Sequence, residues 1–311
     1  MNALLSFPGQ GAQQVNMLHE LPEQPAVQAV LAQAQEVLGQ KLSEIDNAQA
    51  LCNTRNVQLC LLIAGVASAR LLIEHSCKPK YVAGLSIGAY AAAVVAGALD
   101  FADALRLVAL RGELMQQAYP KGYGMAAVQG LTLEQLDTVL EPFQAQGQSL
   151  YLANINADNQ LVVAGADQAL AQLAQAVKTT GWGRVCRLAV SVPSHCSLLE
   201  EAAKQLADAF SNIQLKRAQI GYISSTTARL MLDGEQIKQD LAFNMCQIVD
   251  WQGALRAAYE RGVRLHIELL PGTVLSGLAR RVIPQAVTYS FQGTRLDSLT
   301  HLMLRAGADN Y

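Results

Sequence analysis

Tyr81-Val82-Ala83-Gly84-Leu85-Ser86-Ile87-Gly88-Ala89-Tyr90 is the stretch on which the reading of the whole chain turns. Its centre is Gly-x-Ser-x-Gly, with a short apolar run before it and the Ala-rich segment Ala91 to Ala98 after it. That pattern predicts a strand, a sharp turn and a helix, with Ser86 exposed at the turn. A turn this tight needs residues without a Cβ on either side of the serine. It also aims backbone N–H groups and the helix N-terminus at an oxygen that turns negative during acyl transfer. By itself the pattern carries little weight in a chain with 23 glycines. Residues 81–99 also hold no charge and are long enough to cross a bilayer. The run is mainly Ala, Val and Gly, however, with a polar serine between two glycines, and a buried strand and helix is the better reading.

The 311 residues, 51% hydrophobic, suffice for a large core, expected as one main domain and a smaller one. A net charge of −2 with no basic tract argues against nucleic acid, and 5% aromatic residues offer little for base stacking. Cys52, Cys60, Cys77, Cys186, Cys196 and Cys246 form no Cys-x-x-Cys pair. They read as reduced thiols of a cytoplasmic protein rather than disulfides or a zinc site, so no metal is expected; no bound cofactor is expected of the chain either. The first residues show no basic n-region or cleavage site, and no membrane association is expected.

In chain order, Ala3 to Phe7 reads as a strand that ends in the turn-rich Pro8-Gly9-Gln10-Gly11-Ala12-Gln13. Residues 25–39 and 57–74 read as helices, the second almost wholly apolar. After the elbow, Asp100 is expected to cap a helix running to about Gln117. On it Ala104, Val108, Arg111 and Met115 share one stripe, so Arg111 falls on the apolar face. A snorkelling side chain or a structural ion pair accounts for that placement, and so does a guanidinium held in a cleft for an anion.

Residues 124–192 read as an insertion. Met125 to Gln129 is a strand, Thr132 and Gln135 form a capping box for a helix to about Phe143, and Leu150–Asn156 and Gln160–Ala164 make a hairpin around Asp158-Asn159. A helix over Asp167–Thr179 and a closing strand over Gly183–Val192 complete β-α-β-β-α-β, the ferredoxin-like order. The chain re-enters the main domain at Ser191-Val192-Pro193-Ser194-His195-Cys196-Ser197, with His195 in a loop before a helix whose capping box is Ser197 and Glu200. Strands at Gln219–Ser225, Leu265–Leu269 and Ala286–Ser290 alternate with helices at Gln236–Met245, Trp251–Arg261 and Thr273–Val282. The alternation predicts an α/β class with a mostly parallel sheet covered on both faces, from residues 1–123 and 193–311.

Phe7-Pro8-Gly9-Gln10-Gly11-Ala12-Gln13, the elbow, Leu110-Arg111-Gly112, Asn154-Ile155-Asn156, Ser191-Val192-Pro193-Ser194-His195-Cys196 and Glu268-Leu269-Leu270-Pro271-Gly272 occur in one order. Together they resemble the malonyl-CoA:acyl carrier protein transacylase family over essentially the whole chain. The resemblance implies an α/β-hydrolase-like core with a ferredoxin-like insertion, and a ping-pong acyl transfer. It implies Ser86 as the nucleophile that takes malonyl from coenzyme A and His195 as its base. Gln10 and Ile87 match the backbone donors of the oxyanion hole, and Arg111 the grip on the free malonyl carboxylate. Counting back from Trp251, Asn244 matches the position whose main-chain carbonyl orients the histidine, where the family usually has Gln. The partners implied are a coenzyme A thioester and an acyl carrier protein.

Two departures set the expected pathway. Fatty-acid members commonly carry His before the elbow serine and Glu three residues after it, where this chain has Leu85 and Ala89. A less polar site entrance follows, and the Leu-Ser-Ile-Gly-Ala-Tyr form resembles the transacylase (epsilon) subunit of malonate decarboxylase, which loads that enzyme's own carrier subunit. The alternative is the malonyl-CoA:acyl carrier protein transacylase of fatty acid or polyketide synthesis. A serine hydrolase would share Ser86 and His195 but gain nothing from Arg111, and a non-catalytic carrier-docking subunit would need none of the three together.

Overall fold

The computed structural model describes residues 2–119 and 121–308. In chain order the first half of the core is β1 (Asn2–Phe7), α1 (Pro25–Leu38), α2 (Thr54–Glu74), β2 (Tyr81–Gly84), α3 (Gly88–Val95) and α4 (Phe101–Ala118). The middle is β3 (Tyr123–Gln129), α5 (Leu133–Ala145), β4 (Leu150–Ala157), β5 (Gln160–Ala166), α6 (Asp167–Thr180) and β6 (Arg184–Arg187). Then come α7 (Glu200–Phe210), β7 (Gly221–Ile223), β8 (Leu230–Met231), α8 (Gly234–Phe243), β9 (Val249–Asp250) and α9 (Trp251–Glu260). The chain closes with β10 (Val263–Glu268), α10 (Val274–Val282), β11 (Val287–Ser290) and α11 (Leu296–Ala308).

The main sheet has the order β11-β10-β1-β2-β7-β8, parallel throughout except for β7 with β8. Period-two alternation along β1 sends Leu5 and Phe7 to one face and Leu4 to the other, and each face packs its own apolar cluster. Helix α2 is apolar around most of its circumference because it runs inside the larger cluster. It is also the one described helix long and apolar enough to cross a membrane, and 83% of its most apolar window is buried in the fold. The uncharged run 81–99 is the strand β2, the elbow and α3, as expected.

In the smaller sheet, β6-β3-β5-β4 pair antiparallel at every step, with α5 and α6 packed on one another and on the strands. The Thr132–Gln135 capping box forms. Two features depart from the insertion expected at 124–192. A fifth strand, β9, joins β4 in parallel from far outside that span. The closing strand ends at Arg187, because the chain must leave the sheet edge for Leu188 and Val190 to line the cleft and for His195 to reach Ser86.

Other boundaries shift for local reasons. Ser197 and Glu200 make no capping box: a 3-10 turn over Ser197–Leu199 carries the chain into α7, with no side-chain cap. Asp100 sits at the start of α4 without capping it, and its carboxylate faces Lys216 at 3.4 Å. Helix α8 stops before Asn244, which begins a 3-10 turn that frees its carbonyl. Helix α11, with Leu299, Met303 and Ala306 buried on one stripe, has no counterpart in the sequence reading.

Candidate active site

The elbow is held by contact on both sides of the serine. A Cβ on Gly84 would lie 2.0 Å from the Gly88 carbonyl carbon, and one on Gly88 would lie 2.1 Å from the Phe7 oxygen of β1. Neither position tolerates a side chain. Ser86 takes φ 55°, a left-handed backbone that an L-residue adopts at a cost of about 1–2 kcal/mol. His195, from a loop more than a hundred residues away, takes φ 65°. Two strained residues thus meet face to face, with Ser86 Oγ 2.8 Å from His195 Nε2.

The His195 loop is anchored by its own N–H, which donates to the Met245 carbonyl at 2.7 Å. Nδ1 lies 2.7 Å from the Asn244 carbonyl and 3.2 Å from that of Gln247. Carbonyls only accept, so Nδ1 carries the proton and Nε2 is left bare to accept from the serine hydroxyl. Burial, with Arg111 close by, lowers the imidazole pKa from 6.5 to about 4, against the opposing pull of the two carbonyls. The ring is therefore neutral at pH 7, and among the described residues no carboxylate bonds to it.

Arg111 is 0% exposed. Nη1 donates to Gln58 Oε1 at 2.7 Å, and Nη2 to Ser86 Oγ at 3.3 Å and Asn244 Oδ1 at 3.2 Å. Its carbon stands 5.9 Å from the Tyr90 ring centroid, while Nε is buried with no acceptor. Burial lowers its pKa. Among the described residues no ion pair involves it, so neither snorkelling nor a structural ion pair accounts for it; a fully buried cation faces the Ser86 hydroxyl. Gly112 explains the approach: a Cβ there would lie 2.4 Å from Arg55 Cα, so α2 and α4 touch and Gln58 comes within reach of Arg111.

Asn244 does more than lend its carbonyl. Its side chain accepts from Arg111 and its Nδ2 donates to the Ser86 carbonyl at 3.4 Å. The shorter amide, where the family usually has Gln, therefore still makes side-chain contacts of its own. Gln10 lines the cleft beside Ser86 and His195. Among the described residues neither the Gln10 N–H nor the Ile87 N–H has a protein acceptor. Leu85 lines the cleft as well, but Ala89 is 1% exposed within α3. The entrance polarity expected from both positions therefore rests on Leu85 alone.

The sequence reading assigned no role to Gln58, Gln247, Asn154 or Asn156. Asn154 and Asn156, two apart on β4, line the cleft, and the Oδ1 of each is buried without a partner. The signal was present for Gln58, a polar residue between Val57 and Leu59 on an apolar helix.

With this geometry in view, the likeness to known proteins is specific. The Acyl transferase domain family matches residues 6–290. A malonyl CoA-acyl carrier protein transacylase of Haemophilus influenzae is 39% identical over 284 residues, 89% of this chain and 91% of that protein. The chain belongs to the malonyl CoA-acyl carrier protein transacylase family. The Bacillus subtilis transacylase is 34% identical over 309 residues, 98% of each chain. Among solved structures, FabD from Acinetobacter baumannii superposes with a TM-score of 0.91 at 35% identity, covering 100% of this chain and 99% of that one. A malonyl-transacylase solved with its type II polyketide acyl-carrier protein gives a TM-score of 0.90 at 34% identity, covering 98% and 99%. Like these relatives, this transacylase-family chain is a mixed α/β protein built on a parallel sheet.

Proposed function

We propose that the chain moves a malonyl group from malonyl-CoA to the thiol of an acyl carrier protein through a malonyl-Ser86 ester. One observation carries the reading: the Ser86 hydroxyl stands between a neutral imidazole at 2.8 Å and a buried guanidinium without a carboxylate at 3.3 Å. Ser86 Oγ attacks the thioester carbonyl carbon as its proton passes to His195 Nε2. The oxyanion is received by the free N–H groups of Gln10 and Ile87. The C–S bond breaks, and the departing sulfur takes the proton from the imidazolium, which the Asn244 carbonyl holds in orientation. The carrier thiol then gives its proton to His195, attacks the ester carbonyl, and Ser86 leaves with that proton. Arg111 binds the free malonyl carboxylate.

The cleft encloses about 220 Å³, so the acyl group and the adjoining arm enter while the rest of coenzyme A lies outside. Asn154 and Asn156 line this cleft, and the side-chain oxygen of each is buried without a partner. No residue calls for a cofactor in this chemistry, and its coenzyme A thioester fits a cytoplasmic enzyme. We read 124–192 as a ferredoxin-like insertion in an α/β-hydrolase-like core of 1–123 and 193–311, with β9 of the core extending the inserted sheet.

The relatives' names support a carrier of fatty acid or polyketide synthesis over the carrier subunit of malonate decarboxylase, the pathway first expected. Leu85 at the cleft is the observation that favours the second reading. The test is rapid labelling of Ser86 by radioactive malonyl-CoA with slow release to water, followed by side-by-side loading of both holo carriers. Preferential loading of the fatty-acid carrier is expected. Preference for the decarboxylase carrier reverses the choice between them, and rapid hydrolysis without transfer overturns the transferase reading.

A further inference from the structure

Gln58 is the least expected side chain in the core. It is 0% exposed on α2, a polar amide flanked by Val57, Leu59 and Cys60. Burying an amide costs free energy unless both of its ends are bonded, and here they are. Arg111 has only donors, so the amide oxygen must face it, as found at 2.7 Å. The NH2 end then donates to Gln10 Oε1 at 3.1 Å and to Met115 Sδ at 3.3 Å. One amide thus joins the guanidinium beside Ser86 to the Gln10 loop that lines the cleft.

The choice of residue is as informative as its place. A buried arginine is most cheaply held by a carboxylate, and Glu has the same length as Gln. A carboxylate at this position would neutralise the guanidinium before any substrate arrived. An amide oxygen aims the same fork and leaves its charge intact. A merely structural partner would serve as well, or better, with a charge.

We infer that Gln58 is a specificity-determining positioning residue, whose neutral amide aims Arg111 at the acyl group on Ser86 while keeping the guanidinium's positive charge available to an anionic acyl group. This rests on the malonyl transfer proposed above and assigns the selectivity to a residue that never touches substrate. The amide also fixes the Gln10 side chain, so the carboxylate grip and the loop bearing the proposed oxyanion donor are held in one register.

The test is kcat/KM for malonyl-CoA and acetyl-CoA, with holo acyl carrier protein as acceptor, in wild type and in Gln58→Glu and Gln58→Met. In Gln58→Glu the malonyl value is expected to fall about 100-fold or more and the acetyl value less than about tenfold, so that the ratio collapses. Gln58→Met keeps the charge but not the aim, and its malonyl-to-acetyl ratio is expected to fall about tenfold. If Gln58→Glu does not fold, Gln58→Met decides alone. Equal losses on both substrates, or an unchanged ratio, overturn the inference, since damage to the fold does not distinguish a carboxylate from a methyl group. Failure of the proposed function looks different: the wild type itself would then show no preference for malonyl over acetyl.

Discussion

Replacing Arg111 by Ala tests the feature on which the proposed substrate choice depends. The guanidinium is fully buried, three of its contacts are to neutral oxygens, and Nε has no acceptor. A malonyl carboxylate adds two parallel charge-assisted hydrogen bonds, at roughly 1.5–3 kcal/mol each. Against that stand desolvation of the carboxylate and displacement of the long bond to Ser86. A net of about 3–5 kcal/mol follows, the range found when one partner of a buried pair is removed. At about 1.36 kcal/mol per tenfold, malonyl kcat/KM should fall by about 10²–10⁴. Acetyl transfer should change little or rise, since an unmatched cation has gone. Lys at this position should rescue partly, having a point charge without the planar fork. Because Ala strands the Gln58 and Asn244 oxygens, melting temperatures are measured beside the rates on both thioesters. A folded Arg111→Ala enzyme that loses both substrates by the same factor refutes the reasoning.

Ser86→Ala should abolish the covalent malonyl adduct seen by intact-protein mass spectrometry; a stable adduct in that variant places the nucleophile elsewhere. His195→Ala should lower acylation by about 10²–10⁴, the span of a general base. With the imidazole pKa near 4, wild-type kcat/KM should stay level from pH 8 to about 5 and drop only on approach to 4, and a midpoint near 6.5 contradicts the burial argument. Asn244→Ala keeps the carbonyl but loses the contacts to Arg111 and Ser86, so a malonyl-selective loss of about tenfold is expected; a loss as deep as that of His195→Ala would show that the side chain orients the base. His266, fully buried with neither ring nitrogen bonded, has its pKa lowered by burial to about 3. Below pH 6.5 the unfolded chain takes up protons that folded His195 and His266 refuse, so stability falls with pH, by up to about 1.36 kcal/mol per unit for each ring. Urea midpoints of wild type and His266→Leu between pH 7 and 5 check this, and an unaltered slope in the variant removes His266 from the account.

What was legible in the sequence was what local sterics dictate. Gly84 and Gly88 are forced by atoms within five residues or by the neighbouring strand, and the elbow could be read before any contact was known. Arg111 announced itself by falling on an apolar stripe, although its lack of a carboxylate partner is a tertiary fact. The misses share one cause. β9 has two residues and exists because β4 lies beside it, and α8 ends before Asn244 because that carbonyl is turned toward His195. Ala89 was read as part of the entrance because the fatty-acid members commonly carry Glu at that position, yet one turn of α3 carries it into the core.

The segment from Asn244 to Asp250 shows why such features resist a linear reading. Within seven residues it supplies two carbonyls to His195 Nδ1, a third to the His195 N–H, a side chain to Arg111, and the strand that pairs with β4 beside Asn154. No periodicity marks it, since each residue answers to a different partner. Its tie to β4 joins the cleft-lining Asn154 to the segment whose carbonyls hold His195 Nδ1. The opposite wall, α10, is held at its N-terminus by the Glu268 carboxylate, which accepts from the Leu275 and Ser276 N–H groups at 3.0 and 2.6 Å, and near its C-terminus by Arg281, which donates to Gln160 of β5 at 2.8 Å. The cleft is thus bounded by two walls that are bonded to each other, and Ser86 and His195 meet between them.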